Sequence, residues 1–235
     1  MNRKIILALV AIIVLAIFAY GIYYVNDYYH ADDTAKDLLN GTDNVKVVKT
    51  SNGILLDGPG DDTALIFYPG AKVEYTSYLP LLTQVSEKNI DCFIVEMPFN
   101  LAILNQNAAN DIINSNNYTH YYISGHSLGG SMASKYVNST NNTDGLILIE
   151  SYPTDTIQKP VLSIYGSEDN VLNMEKYDES KALMSNLTEV IIKGGNHAQV
   201  GDYGIQSGDG KAKITPEQQQ KQTSDAIIDF IGISQ

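Results

Sequence analysis

The chain has 235 residues, a hydrophobic fraction of 44% and a formal net charge of −12 at pH 7. This length suits one α/β domain with an N-terminal anchor, and the hydrophobic fraction is high enough to form a core. The negative charge argues against a nucleic-acid partner, because phosphate backbones are bound through Lys and Arg. The single cysteine, Cys92, excludes an intrachain disulfide, and we expect it to be buried within an apolar run.

The N-terminus carries an apolar run over residues 5–25, which follows Arg3 and Lys4. A membrane-spanning helix needs about 20 such residues. The end of the run has no small-residue cleavage site, so we expect residues 1–26 to form an uncleaved signal anchor. The basic residues before it predict a cytoplasmic N-terminus and an extracytoplasmic domain in a single-pass protein of the cell membrane. A stalk is expected over residues 27–43 and a catalytic domain over residues 44–235.

Short apolar strands alternate with amphipathic helices along the rest of the chain. The strands are predicted at residues 45–48, 54–56, 64–68, 92–95, 121–123, 146–149, 161–165 and 190–192. The helices are predicted at residues 78–85, 101–112, 132–137 and 174–184, with a last helix beginning at Pro216. Continuous apolar strands are typical of a parallel sheet covered on both faces. We therefore predict an α/β fold with a mostly parallel central sheet, and residues 151–159 leave no room for a lid domain.

The most informative motif is Gly125-His126-Ser127-Leu128-Gly129, which reads G-x-S-x-G between a predicted strand and a predicted helix. This is the turn that carries the serine nucleophile in α/β-hydrolases. Glycine is needed on both sides, because larger side chains would collide with the tight turn. An ordinary serine in a glycine turn is the structural alternative. The context of strand and helix favours a nucleophile.

The other members of a catalytic triad follow in the order acid and then histidine. His197 is the one histidine that lies well beyond the motif, in a loop after the last predicted strand. Asp169 follows the preceding strand and is our candidate acid, while its neighbour Glu168 is expected to point away. Glu150, at the end of the strand before that, is the second candidate. The alternatives are that His197 only caps a turn and that Asp169 only belongs to a solvated acidic turn.

An oxyanion formed during acyl transfer needs two backbone N–H donors. In this fold they come from the residue after the nucleophile and from the loop after the first central strand. We therefore predict Leu128 and Ala71 as the donors. Gly70, beside Ala71, would allow the backbone to approach the substrate closely.

The chain resembles the small lidless α/β-hydrolases of the dienelactone-hydrolase-like and esterase-like groups over about residues 45–232. The resemblance rests on Tyr-Pro-Gly at 68–70, Gly-Ser-Glu-Asp at 166–169 and Gly-Asn-His-Ala-Gln-Val-Gly-Asp-Tyr-Gly at 195–204. It implies a hydrolase with a Ser127–Asp169–His197 triad. Dienelactone hydrolases use a cysteine nucleophile, so their chemistry is not carried over to a chain with serine at position 127.

Other residues around the triad are candidate substrate contacts, namely Gly70, His126, Gln199 and Tyr203. The loop after His197 could form a wall of the pocket, or it could be a long turn that only holds the histidine. Residues 206–210 resemble a calcium loop, but their spacing fits no EF-hand. We predict no metal and no cofactor.

The sequence therefore predicts a membrane-anchored, extracytoplasmic serine hydrolase that cleaves an ester or related acyl bond of a small-molecule substrate. The N-terminal helix would be its contact with the membrane. Two alternatives stay open at this point: a catalytically silent hydrolase-fold protein used for binding or scaffolding at the cell surface, and a serine peptidase or acyltransferase on the same fold.

Overall fold

The central element of the structure, a computed structural model that describes residues 2–234, is one eight-stranded sheet. Met1 and Gln235, the outer limits of the predicted anchor and domain, lie outside the described residues. The strands are β1 (Lys46–Thr50), β2 (Gly53–Asp57), β3 (Thr63–Tyr68), β4 (Ile90–Val95), β5 (His120–His126), β6 (Gly145–Ile149), β7 (Val161–Gly166) and β8 (Leu187–Ile192). Their order in the sheet is β1-β2-β4-β3-β5-β6-β7-β8.

The sheet is parallel from β4 to β8, and β2 runs antiparallel to both β1 and β4. In the centre, Tyr68 of β3 pairs with Gly125 of β5, and His126 of β5 pairs with Ile149 of β6. Every residue of β3 and β4 is buried. The predicted α/β fold with a mostly parallel sheet is thus confirmed, and Cys92 is buried in β4 as expected.

The described helices are α1 (Arg3–Asn26), α2 (Asp33–Asp37), α3 (Leu79–Ser86), α4 (Ala109–Ser115), α5 (Leu128–Ser139), α6 (Met174–Ser180) and α7 (Pro216–Ser234). Helices α3 and α7 cover one face of the sheet, and α4 and α5 cover the other. Apolar residues of α3 and α7 share one core cluster with one face of the sheet. Those of α4 and α5 share a second cluster with the other face. The carboxyl ends of the parallel strands are left for loops, which is where this kind of fold carries its sites.

The helix predicted over residues 101–112 is largely absent. The chain instead makes single 3₁₀ turns at Pro98–Asn100 and Ala102–Leu104, and α4 begins at Ala109. The apolar residues in this segment have helical spacing, but Leu101 and Asn105 have non-helical backbones, with φ angles of −129° and −150°. That backbone conformation cannot continue into a helix.

The segment 27–43, expected to form a stalk, instead lies against the domain. Tyr29 pairs with Val73 as a parallel bridge, and Ala31 and Ala35 are buried. The side chain of Asp32 caps the short helix α2 by accepting a hydrogen bond from the Ala35 N–H. The alanine side chains at positions 31 and 35 are small enough for this segment to pack closely on the domain.

Helix α1 is long and apolar enough to cross a membrane, and none of its residues is buried in the structure. A helix that is apolar all round and has no protein contact for most of its length is not a core helix of a soluble domain. Its length and position match the apolar run recognised in the sequence.

Candidate active site

Ser127 lies on a tight turn between the end of β5 at His126 and the start of α5 at Leu128. Its φ and ψ angles are 53° and −125°, a backbone conformation that non-glycine residues rarely adopt. The Ser127 N–H donates to the Ile149 carbonyl oxygen at 3.0 Å, and the Ser151 hydroxyl donates to the Ser127 carbonyl oxygen at 2.7 Å. Strand β6 and the loop after it therefore hold the turn in its strained form.

The two glycines of the motif permit close backbone contacts rather than positive φ angles. A Cβ atom at Gly125 would lie 2.5 Å from the carbonyl carbon of Gly129. A Cβ atom at Gly129 would overlap the carbonyl oxygens of Tyr68 and Pro69. Helix α5 can therefore approach both β5 and the loop after β3 only because these positions lack side chains.

His197 and Asp169 form a buried pair across two loops. The His197 Nδ1 atom and the Asp169 Oδ2 atom are 2.8 Å apart, and the two side chains are 2% and 1% exposed. The opposite ring nitrogen of His197, Nε2, is buried and has no hydrogen-bond partner among the described residues. The ring is thus oriented by the carboxylate and keeps one nitrogen available for a proton.

The Asp169 carboxylate is fixed by several donors. Its Oδ1 atom accepts hydrogen bonds from the N–H groups of Val171 at 2.6 Å and Leu172 at 2.9 Å. Burial by itself would raise the pKa of Asp169, but hydrogen bonds with His197 and Glu150 outweigh that effect and hold the pKa below its usual value. Asp169 is therefore the ionised carboxylate of the site.

Glu150 lies beside this pair and is fully buried. Both of its carboxyl oxygens are within reach of the Gly166 N–H, at 2.9 and 3.1 Å, and it also hydrogen-bonds to Asp169. Burial, and then the contact with Asp169, raise the pKa of Glu150 well above its usual value. The raised pKa favours the protonated form of Glu150, in which it can donate a hydrogen bond to Asp169. Glu168 points away from this cluster, as expected, and its carboxylate is 2.8 Å from the Lys213 Nζ atom.

The backbone near Ser127 offers two candidate oxyanion donors. Leu128 is the first residue of α5, where N–H groups have no acceptor within the helix. In the turn after β3, the Gly70 N–H donates to the Tyr78 hydroxyl and the Lys72 N–H donates to the Asn100 carbonyl oxygen. This leaves Ala71 as the candidate donor of that turn. Gly70 is needed for packing, because a Cβ atom there would lie 2.7 Å from the His126 Nδ1 atom.

His126 is an internal link of the site rather than a surface for substrate. It is 1% exposed, its Nε2–H donates to the His197 carbonyl oxygen at 3.1 Å, and its Nδ1 atom accepts from the Tyr78 hydroxyl at 2.9 Å. Burial, and then the nearby His197, hold the pKa of His126 well below its usual value, which fits this neutral tautomer. A chain of hydrogen bonds thus joins Gly70, Tyr78, His126 and His197, and it corrects the expectation that His126 contacts substrate.

The loop after His197 is held mainly by hydrogen bonds to its own backbone. The Asp209 carboxylate accepts from the N–H groups of His197 at 3.2 Å and Ala198 at 2.9 Å. Tyr203 is buried against Tyr29 and Tyr78, so it too is a packing residue rather than a pocket wall. These contacts agree with the interpretation of this loop as a turn that holds His197, and they occupy the carboxylate that a calcium loop would use.

Gln199 is the one candidate contact that borders open space. It lines a cavity of about 570 Å³ together with Asp202 and Asp209. Its backbone carbonyl accepts a hydrogen bond from Gln220 at 3.3 Å.

Sequence reasoning missed three residues that shape the site: Tyr78, Asp209 and Gln219. Gln219 lies in α7 and makes a reciprocal pair of hydrogen bonds with the backbone of Asn196, at 3.0 and 2.6 Å. A capping threonine and Pro216 in the sequence predicted the start of α7. No local pattern indicates that its first turn holds the histidine loop.

Glu150, Asp169 and His197 also have the composition of a metal-ligand set, since one ligand atom from each lies within 4.8 Å of the others. Their hydrogen bonds account for this clustering. The His197 Nδ1 atom is bonded to Asp169, both Asp169 oxygens are engaged, and Glu150 accepts from Gly166. A carboxylic acid, a carboxylate and an imidazole are thus linked by hydrogen bonds. Such a set can take up and return a proton, which suits acyl-transfer chemistry.

Comparisons with known proteins agree with this fold. At the level of the fold, the chain is similar to Est1E from Butyrivibrio proteoclasticus, with a TM-score of 0.58, 14% identity, and coverage of 81% of this chain and 98% of that one. A bacterial membrane phospholipase A gives a TM-score of 0.64 at 10% identity and 99% coverage of both chains. A serine hydrolase involved in carbazole degradation gives 0.59 at 11% identity, covering 80% of this chain and 99% of that one.

No sequence among curated proteins matches this chain. The model of the alpha/beta hydrolase family, however, matches residues 64–221, which include the serine turn, both carboxyl groups and the histidine. With that match and the eight-stranded sheet on which the site is built, the chain belongs to the alpha/beta hydrolase family.

Proposed function

We propose that this protein is a serine hydrolase that cleaves ester or related acyl bonds through a Ser127–His197–Asp169 triad. The observation that carries the proposal is the buried pair of His197 Nδ1 and Asp169 Oδ2 at 2.8 Å, with the other ring nitrogen of His197 unpartnered. The strained turn at Ser127 supports it, because backbone strain of this kind persists where function requires it.

In the proposed reaction the Ser127 hydroxyl attacks the acyl carbon, and the Nε2 atom of His197 takes its proton. Asp169 holds the ring in the tautomer with a proton on Nδ1 and stabilises the imidazolium that forms. His197 then returns the proton to the leaving group. Water attacks the acyl-enzyme by the same route, releasing a carboxylic acid and restoring Ser127. The N–H groups of Leu128 and Ala71 would bind the oxyanion, and the loss of one such donor typically lowers turnover by about 100- to 1000-fold.

We further propose that α1 anchors the protein in a membrane with the catalytic domain on the extracytoplasmic side. Arg3 and Lys4 are the first two residues of α1, while Asp27, Asp32 and Asp33 follow it. Positive charge next to a membrane helix favours the cytoplasmic side. Tyrosines at positions 20, 23, 24 and 28 lie at the end of α1 and just beyond it, where aromatic rings suit the membrane interface.

The direct test is labelling with a fluorophosphonate probe, followed by mass spectrometry of the labelled peptide. The full chain in detergent should react at Ser127 alone, and Ser127→Ala should lose both the label and hydrolysis of p-nitrophenyl esters, by up to about a million-fold. Ser139→Ala, at the far end of α5, is the matched control and should behave as the wild type. A folded wild-type protein that takes no label would refute the hydrolase and favour a binding role.

A further inference from the structure

The end of the proposed membrane helix is fixed to the loop that carries the candidate oxyanion donor. Lys72 follows Ala71, and its Nζ atom is 2.7 Å from the Asp27 carboxylate and 4.6 Å from the centre of the Tyr24 ring. The Tyr29 N–H donates to the Lys72 carbonyl oxygen at 2.7 Å. Because exposed ion pairs add little stability, the contact between Lys72 and Asp27 is informative mainly about where α1 ends. The last turn of α1 ends beside the mouth of the catalytic site.

The histidine loop packs on the same short segment. The Tyr203 ring centre is 5.5 Å from that of Tyr29, and the Ser207 N–H donates to the Tyr29 hydroxyl at 3.1 Å. The Asp32 N–H donates to the Asp202 carbonyl oxygen at 2.9 Å. Residues 27–32 therefore contact the loops on both sides of the catalytic serine, and the direction in which α1 leaves the domain is tied to the site.

Exposed apolar side chains are concentrated at this end of the sheet. Among the residues that the structure describes, nine large apolar side chains outside α1 are exposed, and six of them follow the carboxyl ends of β4, β7 and β8. We call these six the apolar rim: Phe99, Ile103, Leu104, Val171, Met174 and Ile205. Ser127 follows β5, so it lies at the same end of the sheet as the loops that carry the apolar rim.

Phe99 shows that this exposure is imposed by the backbone. Its ring is 62% exposed, and both Phe99 and Asn100 have positive φ angles. The Asn100 carbonyl oxygen accepts the hydrogen bond from Lys72, and the turn at 98–100 is in contact with α1. Phenylalanine rarely adopts a positive φ angle, and strain of this kind is found mainly at functional sites. An exposed aromatic ring is in turn typical of a surface that contacts a membrane or another molecule.

We infer that the apolar rim rests in the surface of the bilayer and that the substrate is an acyl ester of a membrane-resident lipid. We assign a bilayer as the partner of the apolar rim because α1, the proposed membrane helix, ends among the same loops. The ester carbonyl of such a lipid lies at the level of the interface, where Ser127 could reach it while the acyl chains stay in the hydrocarbon of the bilayer. Ser127 would take the acyl group, the lipid alcohol would leave with the proton from His197, and water would then release the fatty acid. This inference rests on the proposed hydrolase function.

Depth in the bilayer can be measured without any assay of activity, because the chain contains no tryptophan. Phe99→Trp and Val48→Trp each give a protein with a single indole at an exposed position, on the rim and in β1 respectively. In full-length protein reconstituted into phosphatidylcholine vesicles with brominated acyl chains, the indole at 99 should be strongly quenched and that at 48 should keep its fluorescence. Equal fluorescence at the two positions would overturn the inference.

The activity test compares a lipid ester with a soluble one. The triple variant Phe99→Ser, Ile103→Ser and Leu104→Ser should hydrolyse a fluorogenic diacyl lipid in phosphatidylcholine vesicles about tenfold more slowly or worse, since three side chains lose apolar burial. Its hydrolysis of p-nitrophenyl butyrate should be unchanged, and Leu39→Ser with Val48→Ser is the matched control. Wild-type protein that cleaves only the soluble ester would refute the lipid inference alone. Protein that cleaves neither and takes no fluorophosphonate label would refute the hydrolase itself.

Discussion

Two carboxyl groups, Glu150 and Asp169, meet beneath the catalytic histidine and carry different charges. Glu150 is enclosed on all sides and keeps its proton, while Asp169 receives hydrogen bonds from His197 and from two backbone N–H groups. Environments that push two pKa values apart in this way assign separate roles to the two groups. We therefore propose Asp169 as the triad acid and Glu150 as the residue that positions it.

This division of roles predicts that glutamine can replace Glu150 but alanine cannot. The amide of Glu150→Gln can still donate to Asp169 and accept from Gly166, so kcat should stay within about threefold of wild type. Glu150→Ala removes both bonds and should lower kcat by about tenfold or more, with a smaller change in KM. Both are read from p-nitrophenyl ester kinetics. If Glu150→Gln is inactive while Asp169→Asn retains turnover, the triad acid is Glu150.

The pH dependence of stability offers an independent check on the proton of Glu150. Because the folded pKa is raised, the folded state keeps a proton that the unfolded state releases above about pH 4.3. Wild-type stability therefore loses a contribution as pH rises from that value towards the folded pKa, whereas Glu150→Gln has no such loss. The Tm of the variant minus that of the wild type should increase between about pH 4 and pH 7 in thermal denaturation scans. A constant difference would mean that Glu150 is ionised in the folded protein.

At the scale of elements, the site depends on how closely α5 approaches β3 and β5. Gly129 has the carbonyl oxygens of Tyr68 and Pro69 where its side chain would be, and Gly125 faces Gly129. The helix N-terminus can point at the reacting carbonyl only while this contact is kept.

Gly129→Ala should therefore abolish activity and lower Tm, since backbone atoms cannot move aside as a flexible side chain can. Gly232→Ala in α7 is the matched control, because its Cβ atom would meet no atom within 4 Å. Alanine there should leave activity unchanged and raise stability by about 1 kcal/mol, through helix propensity. Esterase assays and thermal denaturation of both variants check the pair. An active Gly129→Ala protein would show that the helix and the strand can move apart without loss of the site.

The elements that the sequence predicts correctly are those with strong local signals. Continuous apolar runs identify the central strands, and Pro216 marks the start of α7. The helix predicted over residues 101–112 was wrong for the part before α4, because apolar periodicity carries no information about the non-helical backbone at Leu101 and Asn105. Tyr78 and Gln219 could not be found in advance, since each reaches the site from an element distant in sequence. Ser127 could be proposed from the G-x-S-x-G motif. Asp169 and His197 could be proposed because they follow predicted strands in the chain order of a Ser–acid–His triad.

At the scale of the whole molecule, the protein has two parts with opposite surface chemistry. The apolar helix α1 has no buried residue, while the net charge of the chain is −12. A strongly negative domain gains no attraction from anionic lipid headgroups. Its association with a membrane should therefore depend on α1 and not on surface charge.

Deletion of residues 1–26 should consequently yield a soluble, folded and active domain. Asp27, Tyr29 and the buried residues Ala31 and Ala35 are retained, so the packing of the segment on the domain is kept. Ultracentrifugation of lysates and thermal denaturation of the purified domain measure the outcome, with p-nitrophenyl butyrate as the activity assay. A truncated protein that sediments with membranes as completely as the full chain would contradict the assignment of α1 as the anchor.

The reciprocal bonds between Gln219 and Asn196 have a consequence for the lifetime of the proposed site. The loop that presents His197 is held by the first turn of α7. Local opening of that turn would free the backbone of Asn196, and His197 could then leave Asp169 without any change in either side chain. The stability of a helix terminus that contributes no group to the proposed triad would therefore limit how long the triad stays assembled.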